Sequence, residues 1–398
     1  MILIASALFP PEPVVSANIA YDLACKLAEE HEVVVISPAP SRPYGMKFES
    51  LPTWSGFKHY QLESYVHPRS SVIGRFRESY SLGLHIKRFI ELNHKSIEVV
   101  YANVWPLFAQ LAVAKVCKKY DIPLVIHVQD IYPESLTNKI PFIGKVLREL
   151  ILPVDKYILS AADLVVSISN QMKNELVTTR NITDNKVHVV RNWQNDDFFQ
   201  DLKKDITDSS VVNKDFTFLY LGSISPTAGV DLLIDAFAKA NLSQSKLVIA
   251  GGGSDKDKCI KLATSHNKNI DFIDAQPEQV ASIQAQADIL LLPLRKGVAA
   301  TALPSKMTAY MLSGKPILAS VDQPSEIASI IIDNQCGWVT TPGDIDMLSL
   351  AMQQAYSLDE EALNNCGANS LSFAKLNLSK KVNLNLLKNH IESTRRLI

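Results

Sequence analysis

Short apolar runs alternate with amphipathic stretches of helical length along this chain, and the series runs through twice. In the first half, residues 2–8, 33–37, 99–102, 124–128, 164–168 and 187–190 read as strands, with helical patterns at 14–29, 105–119 and 142–160. Strands that are apolar throughout are covered on both faces, and with helices between them they form a parallel sheet. After Trp193 the texture changes, and residues 196–213 are polar and charged, as suits an interdomain linker. The alternation then restarts, with strands expected at 216–221, 246–250, 270–273, 288–292 and 316–320. The fold class that follows is α/β, two doubly wound domains in series. The expected division is a first domain at 1–195, a linker at 196–213, a second domain at 214–375 and a closing helix at 376–398 that packs back on the first domain. Ligands of such sheets lie beyond the carboxyl ends of the strands. Two domains facing across a cleft would line it with the loops that follow their strands.

Composition narrows the function classes. A net charge of −1 over 398 residues argues against wholesale nucleic-acid binding. Five scattered cysteines (Cys25, Cys117, Cys259, Cys336, Cys366), with no CxxC spacing, suit reduced thiols better than a disulfide framework or a zinc site. The apolar first eight residues lack a basic lead and run into Pro10, Pro11 and Pro13, so they do not read as a signal peptide. No run approaches the ~20 apolar residues that span a bilayer. The expectation is a cytoplasmic chain, soluble or peripheral to a membrane.

The junctions between strands and helices carry the chemistry. In Ala302-Leu-Pro-Ser-Lys-Met-Thr308, Pro304 suits the first turn of a helix, followed by Ser305 and Lys306. Free amides, the helix dipole, a hydroxyl and an ammonium would converge there on an anion such as a diphosphate. An ordinary capped helix with an exposed lysine would present the same residues. Gly222 and Gly229 make the loop from Leu221 to Asp231 compact enough for a phosphate or sugar to lie against it. Gly251-Gly-Gly-Ser-Asp255 allows close backbone approach, with Ser254 or Asp255 expected to cap the next helix. Asp255 and Asp257, both in a first helical turn, need no metal to explain them.

In the first half, the loop Phe9-Pro-Pro-Glu-Pro-Val-Val-Ser16 has no glycine, so a dinucleotide fingerprint is absent. Its helix is expected to be capped near Ser16, with Glu12 either facing a cleft or simply solvated. His127 and Gln129 share one face of a strand whose end carries Asp130 and Glu134. Taken alone, His127 reads first as a hydrogen-bonded structural histidine. Between His67 and Lys95 stand six Lys/Arg and two Glu, interleaved with apolar residues. That suits either an anionic membrane surface, with help from the segment around Pro141–Leu152, or a packed helix with a solvated basic face.

Assembled, these junctions resemble a GT-B-fold glycosyltransferase of family 4, the large retaining group, over nearly the whole chain. The resemblance is most specific at Gly222–Asp231, Gly251–Gly253, Ala287-Asp288 before Leu292-Pro293, and Ser313-Gly-Lys-Pro316. His127-Val-Gln-Asp-Ile-Tyr-Pro-Glu-Ser135 and Val190-Arg-Asn-Trp193 resemble a bacterial subgroup that builds O-antigen, capsule and exopolysaccharide. Its members have Pro-Ser-Lys where Pro304–Lys306 stand, and some are fucosamine transferases acting on lipid-linked sugars. The resemblance implies that Pro304, Ser305 and Lys306 form the seat of the donor diphosphate, that Gly222 and Ser223 border the leaving phosphate, and that Gly251 lies close by. It implies that the backbone near Gln276 meets the base and that His127 faces the donor sugar. His127, Asp130 and Lys306 are the catalytic candidates, and Glu12 and Glu134 the candidates for the acceptor side.

The activity implied is retaining, metal-independent transfer of an N-acetylated deoxyhexose such as N-acetyl-fucosamine, or another N-acetylhexosamine. The donor is a UDP-sugar, with no cofactor. The acceptor is an undecaprenyl-diphosphate-linked saccharide at the inner face of the cytoplasmic membrane. The first domain takes the acceptor and the second the donor. The chain departs from the wider family at Ser223 and Ala228, where Arg and Lys are usual, and at Thr301 and Ala309, where two glutamates are usual. Lys306 would therefore carry more of the donor's charge. Two rival readings stand beside this one: a UDP-sugar 2-epimerase of the same fold, and a non-catalytic assembly partner that binds no nucleotide.

Overall fold

The computed structural model describes residues 1–396 apart from 43–45, 47, 49–53, 68–70, 138–143, 194–214, 277–278 and 298–304. The side chains of Ser135, Leu136 and Ser305 also lie outside the described part, as does the expected linker at 196–213. The chain divides into two compact units, Met1–Asn192 with Asn383–Ile398, and Trp193–Val382.

The first unit is built on β1 (Ile2–Ser6), β2 (Val33–Pro38), β3 (Lys58–Leu62), β4 (Val99–Asn103), β5 (Leu124–Val128), β6 (Leu164–Ser167) and β7 (Val187–Val189). These pair in parallel in the order β3-β2-β1-β4-β5-β6-β7. The helices are α1 (Val15–Ala28), α2 (Val72–Asn93), α3 (Phe108–Lys119), α4 (Glu134–Thr137), α5 (Gly144–Ala161) and α6 (Asn170–Arg180). Every residue of β1 is buried, because it lies mid-sheet under helices. The apolar pattern does not reveal β3: Lys-His-Tyr-Gln-Leu sits at the sheet edge, is largely exposed, and is fixed by its pairing to β2. Ser16 is not the cap of α1. The helix starts after an extended Val14 with no side-chain cap, the prolines having already set the chain's entry.

The second unit holds β8 (Phe216–Leu221), β9 (Ser245–Ala250), β10 (Ile270–Ile273), β11 (Ile289–Pro293), β12 (Ile317–Ser320) and β13 (Gly337–Thr340), parallel in the order β10-β9-β8-β11-β12-β13. Its helices are α7 (Val230–Ala240), α8 (Lys256–His266), α9 (Val280–Ala285), α10 (Ser305–Leu312), α11 (Glu326–Asp333), α12 (Ile345–Tyr356) and α13 (Glu360–Asn377). Neither Ser254 nor Asp255 caps α8 through its side chain; the Ser254 hydroxyl donates to Asp255 instead.

The expected closing helix at 376–398 corresponds to one helix, Lys380–Thr394. α13 stops at Asn377, and α14 (Lys380–Thr394) passes into the first unit at Asn383. Polar contacts hold it there. The Asn383 side chain accepts from the Arg191 amide at 3.0 Å, and Lys388 meets Glu30 at 3.2 Å. Beyond the helix, Arg396 donates to the carbonyls of His94, Ile97 and Asp121 at 2.7, 3.0 and 2.8 Å.

In each sheet the winding reverses once, between β1 and β4 and between β8 and β11. Loops leaving neighbouring strands in opposite directions open a crevice at such a point, and the candidate residues cluster at both.

Candidate active site

At the reversal in the second unit, β8 ends in Leu221 and Gly222. The Gly222 amide continues the ladder to Ala250 at 2.9 Å. Gly222 has a φ of +146°, and a Cβ there would stand 2.2 Å from Cε of Lys306. The lysine stem fills the space a side chain would occupy. Gly251 has the same logic, since its Cβ would lie 2.3 Å from the Gly222 carbonyl oxygen. These two glycines let backbone, backbone and ammonium stack closely.

Lys306 lies in the first turn of α10 and is half-buried. Its Nζ donates to the Tyr220 hydroxyl at 2.5 Å and stands 4.4 Å from that ring's centroid. The Tyr220 hydroxyl donates in turn to the Ser223 carbonyl at 2.6 Å. An ammonium has three N–H donors, and the described residues take one of them. Among the described residues no carboxylate pairs with this ammonium, and burial lowers its pKa to about 8. One turn on, the buried Tyr310 takes the Leu221 amide at 2.8 Å and donates to the Leu221 carbonyl at 3.1 Å. Tyr310 thereby pins the start of α10 against the end of β8. Sequence reasoning passed over Tyr220 and Tyr310; the i, i+4 relation of Lys306 to Tyr310 was the available signal. Arg295, the nearby cation, is consumed by a fork onto Asp231 at 2.7 and 2.6 Å. Ser223 and Gln276 are exposed, and the Gln276 amide is held by the Gln279 side chain at 3.2 Å. Pro304 and Thr301 lie outside the described residues, and so does the Ser305 side chain.

At the reversal in the first unit, the loops after β1, β4 and β5 enclose a cavity of about 550 Å³ with the start of α2. Its wall includes Trp105, Phe76, Tyr132, His127, Gln129 and Asp130. His127 is only 2% exposed, and its Nδ1 lies 2.6 Å from the Tyr101 hydroxyl. Burial drives its pKa down to about 3, so it is neutral at neutral pH and serves as a hydrogen-bonding group. Gln129 bridges it to Asn192, with the Asn192 amide donating to the Gln129 carbonyl at 3.0 Å. Asp130 is exposed at the rim.

Two expected acceptor-side carboxylates have other partners. Glu12 is neither solvated nor facing a cavity. It is 3% exposed and accepts the amides of Ser41 and Arg42 at 2.8 and 3.0 Å, latching two loops. Burial raises its pKa against the pull of those amides. Glu134, half-buried, is the counter-ion of Arg180, whose side chain is fully buried. Burial pushes Glu134 upward, but the Arg180 hydrogen bonds outweigh it and the net shift is downward. Arg180 also donates to Asp155 at 2.9 Å and to the Tyr132 carbonyl at 2.5 Å, fixing the loop that carries Asp130 and Tyr132. No motif announced Arg180.

The segment from His67 to Lys95 is chiefly α2, which leaves Ile73 and Tyr80 75% and 57% exposed. Among the described residues no helix is long and apolar enough to cross a membrane. One group of described side chains brings metal-ligand types together, Glu30, His31 and Glu392, but Lys388 and Arg395 already pair within it.

Two doubly wound sheets of this order have the architecture of the GT-B fold. The domain matches agree: residues 16–198 match Glycosyltransferase Family 4 and residues 202–372 match Glycosyl transferases group 1. The chain is therefore a glycosyltransferase enzyme. A curated relative, "Probable glycosyltransferase WbjE" of Pseudomonas aeruginosa, is 24% identical over 273 residues, 65% of this chain and just under two thirds of that protein at 66%. Among solved structures, Anabaena HepE in complex with UDP matches at a TM-score of 0.68 and 16% identity, over 98% of this chain and 99% of that one. A sucrose-phosphate synthase of Thermosynechococcus elongatus gives 0.73 and 14%, over 98% of each chain. WaaG, a glycosyltransferase involved in lipopolysaccharide biosynthesis, gives 0.63 and 13%, over 98% and 99%. At these identities the structures speak for the fold.

Proposed function

We propose that the chain transfers a sugar from a UDP-sugar to a lipid-linked saccharide, retaining the configuration at the anomeric carbon and using no metal. The observation that carries the reading is the Lys306 ammonium. It lies over Tyr220 and against Gly222 at the first turn of α10, and the described residues take one of its three donors. A half-buried cation whose described partners are all neutral favours an anion there, and helix amides add to its field. A leaving diphosphate gains negative charge as the glycosidic bond breaks, so a fixed ammonium stabilises the transition state more than the ground state. The acceptor oxygen would bond to the anomeric carbon on the face the phosphate leaves, passing its proton to that phosphate. Gly222, Ser223, Gly251, Ser305 and Gln276 surround this seat in the reading. HepE, matched above, was crystallised with UDP, which supports the choice of nucleotide.

The sugar proposed is an N-acetylated deoxyhexose or another N-acetylhexosamine. The acceptor is a saccharide on undecaprenyl diphosphate, reached at the cytoplasmic face of the membrane with help from the basic, apolar-faced α2. The acceptor sugar occupies the cavity of the first unit, with Asp130 and Gln129 at its hydroxyls and neutral His127 fixing the wall. The test is calorimetric titration of the whole chain with UDP, GDP and phosphate, with and without EDTA. UDP binding that survives EDTA and weakens in Lys306→Ala is expected. A preference for GDP would move the donor to another sugar class, and binding of neither nucleotide would remove the reading.

A further inference from the structure

We infer that the first-unit cavity seats a diphosphate ester at the start of α2, with the ester's hydrocarbon chain running along the outer row of that helix. The inference rests on the acceptor proposed above and deepens it by assigning the groups that hold the charged link. α2 is 22 residues long and begins after Ser71, whose hydroxyl takes the Gly74 amide at 3.0 Å. The Arg75 amide meets the Ser71 carbonyl at 3.0 Å, which leaves the amides of Val72 and Ile73 with no acceptor within the helix. Ser71, Val72 and Arg75 line the cavity, so these donors and the positive end of the dipole lie at its wall.

Two guanidiniums, those of Arg42 and Arg75, stand there. Glu78, buried beneath, receives Arg42 at 2.8 Å and Arg75 at 3.0 Å on one oxygen, and the His67 amide at 2.7 Å on the other. Arg42 also lies near the Glu12 carboxylate, and Asp130 stands elsewhere on the cavity wall, whereas Arg75 spends one N–H group on Glu78 and has others to offer. Both guanidiniums lie over Trp105 of the cavity wall, at 4.3 and 5.4 Å.

A second observation is independent of the helix. Asn103, 8% exposed, lines the same cavity, and no described group accepts from its amide Nδ2. The hydroxyl of Tyr132, another cavity residue, is also without a partner among the described residues. Buried donors left unmet are costly, and here they ask for oxygen acceptors. Phosphoryl oxygens supply several.

The occupant of the outer row follows from continuity. Phe76 lines the cavity and also the adjoining surface groove with Ile73, Tyr80 and Phe108. Val72, Phe76, Tyr80 and Leu84 recur every four residues, so they share one side of α2. A molecule with a diphosphate at the helix start has its hydrocarbon chain delivered onto this row. A free phosphate compound would leave the row bare.

The test uses the whole chain and three probes: farnesyl diphosphate, inorganic pyrophosphate and UDP. Farnesyl diphosphate is expected to bind more tightly than pyrophosphate. Arg75→Gln and Asn103→Ala are each expected to weaken it about tenfold or more, with UDP binding unchanged. Glu78 keeps Arg42 in Arg75→Gln, and far-UV circular dichroism and the retained UDP binding show that the variants fold. Ile73→Ser with Tyr80→Ser should lower affinity for farnesyl diphosphate but not for pyrophosphate. Farnesyl diphosphate that fails to bind, or binds Arg75→Gln unchanged, overturns the seat while leaving the UDP reading intact. Pyrophosphate binding as tight as farnesyl diphosphate overturns the hydrocarbon row. Loss of UDP binding in the parent chain would instead strike at the proposed function.

Discussion

The end of β5, one strand beyond the reversal of the first sheet, and the end of β8, at the reversal of the second, treat their charged residues in opposite ways. Beyond β5, Glu134 is neutralised by Arg180, which spends its remaining hydrogen bonds on Asp155 and the Tyr132 carbonyl. His127, at the strand's end, is held neutral against Tyr101. Beyond β8, Lys306 meets an aromatic ring, a hydroxyl and a glycine, and no described carboxylate. The first arrangement spends its charge on shape, fixing a loop that walls a cavity. The second leaves its charge unmatched by any described carboxylate. A titratable residue at a strand end is thus a candidate for chemistry only when its partners leave it unspent.

The largest way to break the contrast is Arg180→Met. Removing one member of a buried ion cluster strands the others, so stability should fall by about 3–5 kcal/mol in urea unfolding. A change below ~1 kcal/mol would mean that Glu134 and Asp155 are solvated and open to a ligand after all.

Lys306→Ala should leave the fold intact and weaken UDP binding by ~1.5–3 kcal/mol, the worth of a charged hydrogen bond. Gly222→Ala places a methyl against the same ammonium and should lose a similar amount. The double variant should then bind little worse than either single one, because both remove one interaction. Additive losses in calorimetry would separate the two residues.

The pH dependence sharpens the same point. With a pKa lowered to about 8, Lys306 is charged below that value and neutral above it. UDP affinity should be level below pH 8 and fall as pH rises beyond it. Folding has the opposite sign: burying the charged form costs stability below pH 8, and that cost is relieved as pH rises toward the unfolded value of 10.5. An affinity flat to pH 10 would place the ammonium outside the nucleotide site.

The smallest effect is at the start of α2. Ser71→Ala removes the cap on Gly74 and should cost about 1 kcal/mol of stability, read as a shift in the urea midpoint at constant slope.

The two-sheet α/β architecture is legible in the sequence, since uninterrupted apolar strands separated by helical patterns have few other ways to bury both faces. So are Gly222, Gly251 and Lys306, which pack closely together, because glycine and a first-turn lysine have local geometric meaning. The sequence misses β3, whose polar residues are made into a strand only by pairing with β2. Which charges are spent is settled by long-range packing. Glu134 and Arg180 lie 46 residues apart in sequence, and Lys306 and Tyr220 lie 86 apart. Strand and helix periods are local, and they say which side of an element a residue takes. What it meets there is set by sheet order and the docking of distant helices, and that meeting fixes whether a carboxylate is a latch or an ammonium is free to bind.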